Sequence, residues 1–512
     1  MKLFVVAICT AVGVDCSRCN GKAPPGPRNL HPIDEAAPVF VRSVKNGKLY
    51  TVGQGDDKKD LIHVWGTPYE NGLAMGQLLG PKLPAIVTKA THYMESQVIT
   101  QLGNQTWCSQ HTVQCAGLRW VAEKGLDVGL ELSYLRTAPY IQPYVMEEIR
   151  GMSAATNGTL SVTSIRNIMW IGELTRGACS MFGAKDSATK SRGGKLLQLR
   201  ALDWDTDGPF KDYPAVVVYH PESGKGHAWA NVGFAAWTGS ITGFSESQIG
   251  ISEIGVSFPD SSFGPEHFLA KGYPFAFLMR DVLQFDESLE AATKRITEAT
   301  RTCDLILGVG DGKANDFSGF QYSPHVATVI KPDNLLPVND TWHPPVDDVV
   351  YWGMDWICPN DNQMLSHQLK KFHGQLTPEI TISDITSYVS TGDLHIAIYD
   401  HAAMGTVTPS PPRPHVSPLH TASYRARRTR QQFSASMPPH GIVGREQPPS
   451  STIARLVWSC RCSPLQYAHR ACVPTAMYFA TARQTGGDGP LPAYQRQFTK
   501  MDMASIFAET PP

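Results

Sequence analysis

Gly177-Ala178-Cys179-Ser180 and, further on, Lys195-Leu-Leu-Gln-Leu-Arg200-Ala-Leu-Asp203-Trp204 are the stretches on which the reading of this chain turns. A junction of small residues leads into a Cys-Ser pair. A polar stretch with Gly193-Gly194 follows, and then an apolar run carries Arg200-x-x-Asp203. The second stretch reads as a strand, so a thiol, a guanidinium and a carboxylate arrive in the order thiol, turn, strand. Alone, a Cys-Ser pair is unremarkable and Arg-x-x-Asp is a surface ion pair; in this order they describe one site.

The chemistry follows from what a thiol lacks. It needs a base, and a cysteine that becomes an N-terminus carries its own: the α-amine, which titrates near 8 in model peptides. A small depression makes that amine competent near neutral pH. The expectation is self-cleavage at the Ala178–Cys179 bond, with Cys179 as nucleophile of both that step and later turnovers. Asp203 would accept a hydrogen bond from the new amine. Arg200, expected on the same face of the strand end, would stabilise the thiolate.

Elsewhere the sequence is that of an ordinary globular protein. Its 512 residues are 42% hydrophobic and 18% charged, with net charge −1, which argues against nucleic acid as a bulk electrostatic partner. Met1-Lys2 and the apolar run to Val14 have the length of a signal-peptide core, so residues 1–19 are expected to be a signal peptide. A secreted or lysosomal location follows as an expectation. Sequons at Asn104, Asn157 and Asn339 fit glycosylation on that route.

Setting aside the cysteines of the leader and of a segment described below leaves Cys108, Cys115, Cys179, Cys303 and Cys358. An odd count in an oxidising compartment suggests two disulfides and one free thiol. Cys108 with Cys115, and Cys303 with Cys358, are the expected pairs, and Cys179 is the thiol left over.

Helices are expected over 68–102, 144–155 and 162–173, so the part before Cys179 (20–178) reads as mostly helical. After it come strands over 195–204, 215–219, 227–232 and 248–258, helices near 274–283 and 288–299, and strands near 323–330 and 347–352. Gly308-Val-Gly-Asp-Gly312 reads as a turn. From 405 to 476 the chain holds nine Arg, no Lys and one Glu among Pro-rich runs, and is expected to be a disordered insertion, a candidate artefact of the gene model. Its flanks, 394–400 and 478–483, read as strands suited to an antiparallel hairpin, so 179–404 and 477–512 form the expected catalytic region.

Cys179-Ser180, Arg200-x-x-Asp203-Trp204, Gly239-Ser-Ile-Thr-Gly243 and Ile249-Gly-Ile-Ser-Glu-Ile-Gly-Val-Ser-Phe258 together resemble the N-terminal-nucleophile hydrolases of the acid ceramidase, choloylglycine hydrolase and penicillin acyltransferase group, nearest to the eukaryotic acid-ceramidase-like branch. The resemblance implies an α+β fold: an αββα sandwich of two stacked, mainly antiparallel sheets with helical outer layers. It implies maturation into two chains and hydrolysis of a non-peptide amide bond in an N-acyl, lipid-like substrate such as a ceramide or N-acyl amine. It leaves room for transient contact with a membrane surface and calls for no cofactor.

The group's oxyanion-hole Asn, in a Thr-Asn-His/Tyr turn, has no counterpart here. By chain order its place falls near Asp355, and a carboxylate donates to an oxyanion only when protonated. Ser257 stands where bile-salt-type members have Asn, and Arg483 matches a later Arg of the family. Two other readings stay open: a phospholipase-B-like hydrolase or acyltransferase on the same fold, and a secreted binding protein that has lost activity. Asp203-Trp-Asp205-Thr-Asp207-Gly208 starts like a calcium loop, but its twelfth residue is Pro214, so no metal is expected.

Overall fold

In a computed structural model of the protein, the described residues are 19, 25–102, 112–175, 177–265, 267, 269–402, 475–484 and 490–512, with side chains left aside at 98–102, 112–123 and 484. The signal-peptide expectation, apart from Cys19, lies outside them. So do Asn104, Cys108, the side chain of Cys115 and nearly all of 405–476.

Strands β1 (Val39–Val44), β2 (Gly47–Val52) and β3 (Lys59–Trp65) open the fold. Five helices follow: α1 (Pro68–Leu79), α2 (Lys82–Leu102), α3 (Thr112–Thr137), α4 (Pro143–Ala155) and α5 (Val162–Trp170). The start of α1 is written locally. Thr67 and Glu70 exchange side-chain and backbone hydrogen bonds in a capping box, with Pro68 in the first turn. α1 packs on α4 almost backbone to backbone: a Cβ on Gly72 would lie 1.9 Å from the Glu148 carbonyl oxygen, and one on Gly151 2.1 Å from that of Tyr69.

The rest is mainly strand: β4 (Ala178–Ala184), β5 (Leu197–Asp203), β6 (Pro214–His220), β7 (Trp229–Phe234), β8 (Thr242–Ser245) and β9 (Ile249–Gly255). Helices α6 (Phe275–Phe285) and α7 (Leu289–Glu298) interrupt before β10 (Leu305–Asp311), β11 (Asp316–Tyr322), β12 (Ala327–Ile330) and β13 (Val349–Met354). Then come α8 (Pro359–Lys371), a helical run over 378–389, β14 (His395–Asp400), β15 (Ala476–Thr481), a two-stranded ribbon of β16 (Arg483–Gln484) and β17 (Pro490–Leu491), β18 (Thr499–Asp502) and α9 (Met503–Phe507).

Ten strands form one sheet in the order β1-β2-β3-β6-β7-β8-β9-β10-β11-β12, and six form the second in the order β13-β4-β5-β14-β15-β18. Pairing is antiparallel except between β3 and β6. The two sheets stack: Nε2 of Gln198 on β5 donates to Oγ of Ser252 on β9 at 2.9 Å. Helices α6 and α8 pack on β8–β9 and on β13 respectively. This is an α+β sandwich of two stacked sheets with helical layers. No helix among the described residues is long and apolar enough to cross a membrane.

Several expectations need correction. The part before Cys179 carries, besides its five helices, strands β1–β3, which belong to the same sheet as β6–β12. Gly308–Asp311 is not a turn but the second half of β10, paired on both sides. The expected strand over 323–330 is β11 ending at Tyr322, then β12. Strands β14 and β15 do pair antiparallel, from His395 opposite Thr481 to Asp400 opposite Ala476.

Candidate active site

β4 begins at the small-residue junction, and its register with β5 places each candidate. Ala178 faces Asp203, Cys179 faces Leu202, and Met181 faces Arg200. Side chains alternate along a strand, so Cys179, Met181, Leu202 and Arg200 share one face, while Ala178, Ser180 and Asp203 share the other. The expectation that Arg200 and Asp203 lie on one face is corrected: three residues apart on a regular strand, they flank the sheet from opposite sides.

Asp203 is held firmly. Its Oδ2 accepts from Thr391 Oγ1 at 2.6 Å, and its Oδ1 accepts from the backbone N–H groups of Gly392 at 2.8 Å and Asp393 at 3.2 Å. Thr391 Oγ1 also lies 2.6 Å from Ser180 Oγ, which accepts from the Met354 N–H at 3.1 Å. The loop entering β14 thus clamps the carboxylate beside the backbone of the Cys-Ser pair.

On the other face Arg200, wholly buried, places Nη2 3.1 Å from Oε2 of Glu253 on β9 and Nη1 3.4 Å from Nε2 of His395 on β14. Cys179 is a free thiol, 1% exposed. Burial pushes it up to about 12; Arg200 pulls back, while Glu253 and Asp203 add to the rise. Burial therefore holds this thiol in its protonated form near neutral pH.

Cys179 opens on a cavity of about 80 Å³ walled by Leu202, Trp204, Phe210, Phe234, Trp237 and Phe275, with Glu253 among its few polar groups. The residues just before the junction, Ile171, Gly172, Thr175 and Gly177, line it too. Among the described residues no cluster of three or more His, Cys, Asp or Glu is placed to hold a metal ion.

The chain is 32% identical over 421 residues to Protein dcd1A of Dictyostelium discoideum, covering 78% of this chain and 87% of the relative. The chain belongs to the dcd1A family. Protein dcd1B of the same organism is 29% identical over 375 residues, 72% of each chain. No protein-family model matches. Among solved structures, the chain is similar to a Caenorhabditis elegans N-acylethanolamine-hydrolyzing acid amidase ortholog, at 16% identity and TM-score 0.32 over 43% of this chain and 92% of that one. It is also similar to a mutant conjugated bile acid hydrolase from Clostridium perfringens, at 13% identity and TM-score 0.29 over 43% and 85%. At these TM-scores neither likeness bears on the chemistry of this chain.

The other candidates divide. Ser257 reaches the junction, donating from Oγ to the Gly177 carbonyl at 3.2 Å. Its N–H donates to Oδ2 of Asp355 at 2.6 Å. Asp355 therefore stands beside the junction as an acceptor, and burial pushes it up to about 7 against the pull of the Ser257, Ile357, Trp356 and Phe258 N–H groups. Arg483 is not brought to the cavity: its Nη1 donates to the Lys211 carbonyl at 3.2 Å and its Nη2 to that of Lys58. The expected Cys303–Cys358 pair is corrected, because Cys358 is bonded to Cys19 and Cys303 is free. Cys303 instead directs its thiol to Oε2 of Glu173 at 3.5 Å.

Glu253 and Thr391 were missed by sequence reasoning. A lone acid inside Ile249-Gly-Ile-Ser-Glu-Ile-Gly255 is a signal that could have been read, since a charge in a fully buried strand requires a partner. Thr391 carries no such signal.

Proposed function

We propose that this chain is a self-processing cysteine amidohydrolase with an N-terminal nucleophile, acting on an N-acyl, lipid-like substrate. The observation that carries the reading is the arrangement around Cys179. The thiol starts a strand after a small-residue junction, an inter-strand arginine acts on it from its own face, and a clamped aspartate sits opposite Ala178.

In the maturing step the thiol of Cys179 attacks the Ala178 carbonyl, the Ala178–Cys179 C–N bond breaks, and a thioester forms. The thiol proton passes to the departing nitrogen, which becomes the free α-amine of Cys179, and water then cleaves the thioester, releasing the Ala178 carboxylate and restoring the thiol. In later turnovers that amine takes the thiol proton as sulfur attacks the substrate carbonyl, then returns it to the departing amine, and water hydrolyses the acyl thioester to the free acid and the thiol. Asp203 orients the amine, and Arg200 stabilises the thiolate. The apolar cavity suits an acyl chain, because burying each methylene there is worth about 0.8 kcal/mol.

The reaction is tested by incubating the processed protein and a Cys179→Ala variant with a ceramide and with a long-chain N-acyl amine, and quantifying free fatty acid. Fatty acid released by the wild type alone supports the proposal; none from either substrate, with processing complete, removes the lipid amide assignment.

A further inference from the structure

Behind the nucleophile, a row of side chains crosses three strands on one face: Cys179 on β4, Leu202 opposite it on β5, and His395 opposite Leu202 on β14. His395 is fully buried, packed between Phe234 of the cavity wall (ring centroids 5.6 Å apart) and Phe479 (5.8 Å). Its Nε2 lies 2.9 Å from Thr242 Oγ1 and 3.4 Å from Nη1 of Arg200.

A guanidinium only donates, so the nitrogen it faces must carry the lone pair. The ring is then the Nδ1–H tautomer, and the guanidinium and the Thr242 hydroxyl share its single Nε2 lone pair. Its Nδ1 is buried without a hydrogen-bond partner. Such an orphan donor is costly, and it is tolerated where the opposite nitrogen has a task.

We infer that His395 is a positioning residue for Arg200: a neutral imidazole that takes Nη1 while Glu253 takes Nη2, holding the guanidinium on the sheet face that Cys179 shares. This rests on the self-processing reading above. Two acceptors on two different strands hold the planar fork, so neither alone sets its direction. Burial and the Arg200 charge hold the ring well below the usual histidine range, which keeps it neutral and able to accept.

The test follows self-cleavage against pH in wild type, His395→Leu and His395→Gln. The Leu variant should cleave about tenfold more slowly, the scale of losing a hydrogen bond to a charged group, with its profile displaced to higher pH. The Gln variant, which offers a carbonyl in the same place, should recover both rate and profile. A Leu variant with wild-type rate and profile, or a Gln variant as impaired as Leu, overturns the inference.

If the wild type does not cleave, the self-processing reading falls, and His395 is judged by imidazole 15N shifts, assigned by their loss in the Gln variant. An Nδ1–H ring that stays neutral from about pH 8 to about pH 4.5 supports the inference; an Nε2–H or titrating ring overturns it.

Discussion

Arg200 and Glu253 tie the two sheets together: Nη2 of the guanidinium stands 3.1 Å from Oε2 of the carboxylate, with the side chains 0% and 8% exposed. One partner comes from the six-stranded sheet and the other from the ten-stranded sheet. Burial drives the Glu253 carboxyl up, and Arg200 opposes that rise.

Removing one member of a buried pair strands the other charge. Glu253→Ala should cost about 3–5 kcal/mol of stability. Urea unfolding on a Cys179→Ala background, where processing cannot intervene, measures it; a change under about 1 kcal/mol would show that the pair does not hold the sheets.

Thr391 makes a second specific demand. Its hydroxyl lies 2.6 Å from both Ser180 Oγ and Asp203 Oδ2. Thr391→Ala removes the hydroxyl donor to Asp203 Oδ2, and self-cleavage should slow about tenfold. Thr391→Ser should restore it, and equal slowing in both variants would assign the residue to packing instead.

Asp355 gives the chain a pH signature. Its folded carboxyl is pushed up to about 7 from 3.8. The folded state thus holds this proton more tightly than the unfolded state. Its contribution to stability is full below about pH 4 and is lost as pH rises toward about 7, by about 4 kcal/mol at most. His63 and His220, lowered by burial to about 3 and about 4, tilt stability the other way below about pH 6.5, so the comparison is between proteins. Asp355→Asn should flatten the fall measured by denaturant unfolding between pH 4 and 7, and parallel curves would contradict the assignment.

The Cys19–Cys358 bond joins residues on either side of the Ala178–Cys179 peptide. Processed protein should therefore run as one band without reductant and two with it. Two bands in both lanes would mean that the bond is not made.

The periodicity of the helices and the apolar runs of β5, β6 and β9 were legible because each follows a local rule. The strand β10 was not. Its glycines look like a turn, yet they serve long-range packing: a Cβ on Gly308 would lie 2.8 Å from Met181 Sδ on the facing sheet, and one on Gly310 2.3 Å from Gln198 Oε1. Glycine in a strand marks a close approach as well as a bend, and only the partner reveals which.

The same limit governs the site. The order of Cys179, Arg200 and Asp203 was legible, but β4 was not, and only its pairing with β5 brings the three together. Glu253, Thr391 and His395 arrive from β9 and the start of β14, and no local pattern announces them. Cys358 was paired by elimination with Cys303, whereas its true partner, Cys19, had been assigned to the leader.

The central claim is that the chain cuts itself before Cys179. Intact mass and N-terminal sequencing of purified protein, beside Cys179→Ala, test it most directly, at neutral and acidic pH. The account predicts a new N-terminus at Cys179 in the wild type and an uncut variant. A wild-type chain intact at both pH values, or a variant cut at the same bond, would contradict it.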